Sequence, residues 1–142
     1  FRTQEDVVYL ADCLSSKETL EKYRIGVIHD VAAYLDTLER VKQMSARTFV
    51  PAHADAAQDI APLAQYNIDQ VHQVAEDILA LCREPVQFET ILQNLFTGYG
   101  LELTLEQYVL VGSTVRSYLA WLVDGGQVTY GFDQNRLLWE RA

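Results

Sequence analysis

The first part of the chain contains two short apolar, β-prone runs with a long helical stretch between them. Val7–Leu10 is continuously apolar, as expected of a buried strand, and Thr48–Val50 is β-prone up to Pro51, which predicts that the second strand ends there. Residues 16–23 and 30–44 carry helix-capping residues and apolar residues at helical spacing. This order predicts a βαβ unit with parallel strands, which restricts the fold of the region to an α/β layer.

A second domain is predicted after residue 82. An amphipathic helix that begins near Pro62 ends at Arg83-Glu84-Pro85, because a proline disfavours helical conformation in the residue before it. The apolar pattern then restarts at Phe88. We therefore assign residues 1–82 to one domain and residues 83–142 to another.

The predicted second domain has the element order of a winged helix. A helix runs to Tyr99, a second is opened by Thr104, a turn falls at Gly112-Ser113, and a third helix ends at Gly125-Gly126. Two short strands, Val128–Tyr130 and Leu137–Trp139, follow across a turn at residues 131–135. The fold class of the whole chain is thus α+β and mostly helical.

Composition excludes several functional classes. The chain has 20 acidic and 11 basic residues, a net charge of −9, and neither predicted domain has the basic surplus that a phosphate backbone requires. No apolar run is long enough to span a membrane and no signal peptide is visible, so a cytoplasmic location is expected. Cys13 and Cys82 lack the spacing of a metal or redox pair and are predicted to be free thiols.

Asp12 and His53 stand out by position, because each follows one of the two predicted strands. The carboxyl ends of adjacent parallel strands meet at one edge of a sheet, where loop side chains converge on ligands. A carboxylate can bridge two divalent ions and an imidazole can hold one, so the pair is a candidate metal site. The alternative from spacing alone is a turn-forming Asp and a surface loop His.

Four segments in order resemble the C-terminal third of the metallo-β-lactamase superfamily catalytic domain: Val8–Leu14, Lys22-Tyr23, His29–Val31 and Phe49–His53. The resemblance implies that Asp12 bridges two zinc ions and that His53 binds the second. It also implies hydroxide attack on an ester, thioester, amide or phosphoester, and it accounts for residues 83–142 as the winged-helix extension of the family. His29, Tyr23 and Lys22 are candidates for the substrate pocket, with a structural loop His, a packing Tyr and a solvated Lys as the alternatives.

The sequence departs from the family pattern in two ways. Ala54 stands where the family has Gly after the last His, and the His-x-His-x-Asp-His motif is absent. Together with the first residue being Phe, this predicts a C-terminal fragment that binds zinc weakly and is inactive alone. The substrate cannot be predicted from these residues.

Other functions and a partner are predicted as follows. A winged helix that binds nucleic acid is disfavoured because Arg116 is the only base in the predicted third helix, and an acidic protein-interaction module is the remaining alternative.

The apolar Val7–Leu10 strand further predicts a homo-oligomer, formed through residues 5–52, because an uncovered strand edge favours association.

Overall fold

A computed structural model describes residues 1–142. The elements are, in chain order, β1 (Val7–Ser15), α1 (Lys17–Tyr23), α2 (Val31–Lys42), β2 (Thr48–His53), α3 (Ala61–Leu81), α4 (Phe88–Tyr99), α5 (Leu105–Asp124), β3 (Val128–Asp133) and β4 (Arg136–Arg141). Residue contacts divide the chain into two compact units, residues 1–26 with 32–72 and residues 27–31 with 73–142. The division falls within α3, whereas the sequence places the domain boundary after residue 82. No helix is long and apolar enough to cross a membrane.

The first unit is built on a two-stranded parallel sheet. β1 and β2 pair in parallel, from Val7 opposite Thr48 to Tyr9 opposite Val50. The predicted βαβ unit is therefore confirmed. The prediction that Pro51 ends the second strand is wrong, since β2 continues to His53. Pro51 is accommodated because it lies opposite Ala11, where the register of the two strands shifts and a regular ladder bond is not required.

Local capping and an apolar stripe explain the helices of this unit. The Ser16 side chain accepts a hydrogen bond from the Thr19 backbone N–H, which fixes the start of α1 as predicted. Side chains from α2 and α3 cover the sheet. The core consists of Val8, Leu10, Leu14, Leu38, Val41, Phe49, Ile60, Ala64 and Ile68.

Both outer edges of the sheet carry additional backbone pairing. On β1, the Tyr9 N–H donates to the Phe1 carbonyl at 2.7 Å, and the Thr3 N–H donates to the Val7 carbonyl at 2.9 Å. On β2, Phe49 exchanges two backbone hydrogen bonds with Ala57. Part of each edge is thus occupied by the chain itself.

The second unit contains two helices after α3, and the predicted turn at Gly112-Ser113 is wrong. α5 runs without interruption from Leu105 to Asp124, and the Thr104 side chain caps it by accepting from the Gln107 N–H, as predicted. Gly112 is buried, and a Cβ there would lie 3.5–3.7 Å from Arg116, Leu92 and Phe88. Gly112 therefore lies within a continuous helix, facing α4, and does not form a turn.

A β-hairpin follows α5. β3 and β4 pair antiparallel across Gln134-Asn135, and both of these residues have positive φ, as a two-residue hairpin turn requires. The strands are longer than predicted, because Gly131 lies within β3. Trp139 of β4 exchanges two backbone hydrogen bonds with Val86 before α4, so the hairpin is tied to the beginning of that helix.

Candidate functional site

Asp12 lies in a bulge near the carboxyl end of β1. The backbone of Ala11 has φ of 49°, in the left-handed region, and takes β1 out of its regular register. Between Ala11 and Ser15 the strand has two more residues than β2 has between Pro51 and His53. Asp12 is the first residue of this bulge, which explains why its side chain is 81% exposed although the strand around it is paired.

His53 ends β2 and lies beside Asp12. Its Nε2 is 3.1 Å from Asp12 Oδ1, so the structure brings together the two predicted metal ligands. The carbonyl of His53 accepts a hydrogen bond of 2.9 Å from the Ser16 N–H, which joins the end of β2 to the beginning of α1. The His53 side chain is 58% exposed. A polar contact that is this open to water contributes at most about 1 kcal/mol to stability.

The separation of the two donor atoms fits adjacent ligands of one metal ion. With metal–ligand bonds of about 2.0–2.1 Å, two ligands at a tetrahedral angle lie roughly 3.3 Å apart. The Asp12 to His53 distance of 3.1 Å is close to this value. No group of three or more His, Cys, Asp or Glu side chains that could hold a metal ion occurs in the chain, so Asp12 and His53 are a pair without a third side chain of these types.

Asn67 of α3 holds the end of the bulge, a role that was not predicted from the sequence. Its Nδ2 donates to the carbonyls of Ser15 and Leu63, both at 2.9 Å. Its Oδ1 accepts from the Ser15 N–H at 2.9 Å and from the Tyr34 hydroxyl at 3.3 Å. The side chain is 1% exposed, and all four hydrogen-bonding positions of its amide are filled. The sequence feature that could have indicated this role is a polar residue within the apolar stripe of α3, between Ala64 and Ile68.

Tyr34 and Cys13 lie close to this amide and remain protonated near neutral pH. Burial raises the pKa of Tyr34 to about 12, with a smaller contribution from the negative charge of the Cys13 thiolate. Burial also raises the pKa of the Cys13 thiol. Cys13 and Cys82 are both free, as predicted. Tyr34 therefore acts as a hydrogen-bond donor to Asn67, and Cys13 is a poor nucleophile.

The predicted substrate-pocket residues fall into two groups. Lys22 and Tyr23 end α1, and the Lys22 ammonium lies 4.8 Å from the centre of the Tyr23 ring. His29 belongs to the second unit, where its carbonyl accepts from the Ser117 hydroxyl at 2.8 Å. The neighbouring Ile28 N–H donates to the buried Thr114 hydroxyl at 3.0 Å, so the backbone around His29 is anchored to α5.

No protein-family model matches the sequence, and no curated protein matches it. Solved structures do resemble the fold. A β-lactamase domain protein from Burkholderia ambifaria matches with a TM-score of 0.76 and 17% identity, over 96% of this chain and 42% of its own length. A metallo-β-lactamase family protein from Thermus thermophilus matches with a TM-score of 0.73 and 18% identity, over 98% of this chain and 43% of its own length. This chain therefore spans less than half of each protein, and over that length it shares the fold of metallo-β-lactamase domain proteins.

Proposed function

We propose that this chain forms part of a metal-dependent hydrolase of the metallo-β-lactamase superfamily and contributes Asp12 and His53 as metal ligands. The observation that carries the proposal is the 3.1 Å distance between Asp12 Oδ1 and His53 Nε2 at the carboxyl ends of two parallel strands. The similarity in fold to metallo-β-lactamase domain proteins supports the same assignment.

The two residues would have different roles toward the metal. Asp12 has two carboxylate oxygens and is the residue suited to bridge two ions, whereas His53 would bind one ion through Nε2. Zinc is the expected metal, and when bound it supplies a hydroxide nucleophile near neutral pH and polarises the carbonyl or phosphoryl group under attack. The remaining ligands would come from polypeptide outside this sequence, and the chain alone would bind zinc weakly and lack hydrolase activity.

We propose Lys22 and Tyr23 of the first unit as residues that face the substrate in the complete enzyme, and we propose His29 of the second unit separately as a residue for substrate contact. Lys22 and Tyr23 follow the bulge along the chain through the short helix α1, and a cation beside an aromatic ring suits an anionic or polar substrate group. The substrate class is an ester, thioester, amide or phosphoester.

The metal assignment is testable on the 142-residue chain. We expect Mn²⁺ to broaden selectively the amide resonances of residues 11–16 and 52–54 in NMR spectra, and Zn²⁺ to reverse the broadening by competition. Asp12→Ala and His53→Ala should each weaken this binding roughly 10-fold or more, because each removes one of two ligands. Asp55→Ala, which removes an exposed carboxylate two residues after His53, is the matched control and should bind as the parent chain does.

Two results would contradict the assignment. One is an absence of selective broadening in the parent chain at millimolar Mn²⁺. The other is unchanged binding in Asp12→Ala. In an enzyme with the complete ligand set, Asp12→Ala should remove bridged metal and abolish hydrolysis.

We further propose that the second unit is a winged-helix-like domain with a role in protein contact. Its helix, helix and hairpin order follows α3, as in a winged helix. Arg116, the base on α5 that could reach a DNA groove, instead lies 3.7 Å from the centre of the Phe88 ring. Leu105 and Val109, one turn apart at the start of α5, are exposed, which favours a protein-binding surface over nucleic-acid recognition.

A further inference from the structure

The Asn67 side chain replaces a strand partner for β1. A peptide group in a sheet offers its neighbour one donor and one acceptor, and the amide of Asn67 offers both to Ser15, at 2.9 Å each. Ser15 lies opposite His53 in the ladder, and its own N–H and carbonyl both bond the Asn67 amide, so without Asn67 Ser15 would lose both bonds. The amide thus ends the bulge at a defined residue.

This contact is linked to the candidate ligands through short stretches of backbone. Ser15 is three residues after Asp12 and lies opposite His53 in the ladder. The next residue, Ser16, donates its N–H to the His53 carbonyl at 2.9 Å. Holding Ser15 therefore fixes both the far end of the bulge that carries Asp12 and the backbone of His53.

The Asn67 amide has a well-defined position because it is buried and all of its hydrogen-bonding positions are filled. Asn67 is 1% exposed, and its Nδ2 also donates to the Leu63 carbonyl one turn earlier in α3. The Tyr34 hydroxyl occupies the second acceptor position of Oδ1. A buried amide with every position filled cannot rotate without losing hydrogen bonds, each of which costs free energy in the protein interior.

We propose that Asn67 is a positioning residue that holds Asp12 and His53 at the separation needed to bind a metal ion. The inference rests on the proposed function, because it concerns the same two ligands. Asn67 does not contact the metal in this proposal. It acts through Ser15 and Ser16, as groups outside the ligand shell often orient metal ligands.

The test uses two variants of Asn67 in the 142-residue chain. Asn67→Leu fills a similar volume and removes all four hydrogen bonds. Asn67→Asp keeps the oxygen that accepts from Ser15 and retains the shape of the side chain. Tyr34→Phe removes one hydrogen bond to the same amide but leaves the contacts to Ser15, and Gln65→Ala removes the bond from Lys42 to α3 away from the bulge. Gln65→Ala is the control for a loss of stability alone, and Tyr34→Phe tests one partner of the amide.

Two measurements separate positioning from general stability. The first, without metal, is the nuclear Overhauser effect between the His53 ring and the Asp12 β-protons. The second is Mn²⁺ affinity from broadening at these two residues. We expect Asn67→Leu to weaken the Overhauser effect several-fold and Mn²⁺ binding roughly 10-fold or more. Asn67→Asp and Tyr34→Phe should lie between Asn67→Leu and the parent chain, and Gln65→Ala should match the parent chain.

The outcomes distinguish the inference from the proposed function. If the parent chain binds Mn²⁺ at the pair and Asn67→Leu binds it equally well, the positioning role is refuted and the metal assignment stands. If the Overhauser effect depends on Asn67 but the parent chain binds no Mn²⁺, the metal assignment fails and the positioning role stands. Unfolding of both Asn67 variants, or equal losses in Gln65→Ala, would assign the residue to structural stability and overturn the inference.

Discussion

Gly112→Ala is expected to stabilise the protein, although the sequence pattern indicated a turn at this residue. Gly112 lies inside the continuous helix α5, where alanine is favoured over glycine by about 0.8–1.0 kcal/mol. The added Cβ would meet its nearest neighbour, Arg116 Nη1, at 3.5 Å, which is ordinary van der Waals contact with the end of a flexible side chain. No steric penalty offsets the gain. The expected change in the free energy of unfolding is therefore about +1 kcal/mol.

Two other glycines provide matched controls for this substitution. Gly98 is in the last turn of α4, and a Cβ added there would have no atom within 4 Å, so Gly98→Ala should stabilise by about 0.5 kcal/mol. Gly100 ends the same helix with φ of +66°, a left-handed conformation, so Gly100→Ala should destabilise by about 1–2 kcal/mol. Urea unfolding followed by circular dichroism measures all three. A Gly112→Ala variant that is destabilised by as much as Gly100→Ala would show that α5 is interrupted at this residue or packed too closely for a methyl group.

Two further predictions concern association and nucleic acid. Deletion of residues 1–4 should increase self-association at about 100 μM in light scattering, because it uncovers the β1 edge. Phe1→Ala keeps the backbone pairing and should not increase self-association. Equal association of both variants would refute this role of the N-terminal residues. The chain should not bind duplex DNA with submicromolar affinity at about 150 mM salt. Submicromolar binding that is lost in Arg116→Ala would contradict the proposed protein-contact role of the second unit.

The features that the sequence predicted correctly depend on neighbouring residues. Ser16 and Thr104 cap their helices through a hydrogen bond from the backbone N–H of the residue three positions later, so a few neighbouring residues are enough to predict where each helix begins. The parallel pairing of β1 and β2 followed from the helices between them, because a crossover of this kind requires parallel strands. The proximity of Asp12 and His53 could be predicted for the same reason, because the two residues follow neighbouring parallel strands.

The features that were missed depend on contacts between distant parts of the chain. Gly112-Ser113 is a residue pair typical of turns, and the helix continues through it because this part of α5 is buried against α4. Pro51 is tolerated in β2 because of a bulge in the other strand. Asn67 contacts Ser15 across 52 positions of sequence, and a single asparagine in a helical pattern gives no indication of its partner. Tertiary contacts thus decided the cases in which local propensity pointed elsewhere.

The bulge explains why the candidate ligands are together, and their mutual attraction does not explain the bulge. Ala11 adopts a left-handed conformation that costs about 1–2 kcal/mol for a residue with a Cβ. The exposed Asp12–His53 pair returns at most about 1 kcal/mol. Stabilisation of this conformation must therefore come from buried contacts, among them the Leu14 side chain within the bulge and the two hydrogen bonds between Asn67 and Ser15 at its end. Buried contacts thus hold a strained backbone beside two exposed ligand-type side chains, as the proposed metal-binding role of Asp12 and His53 predicts.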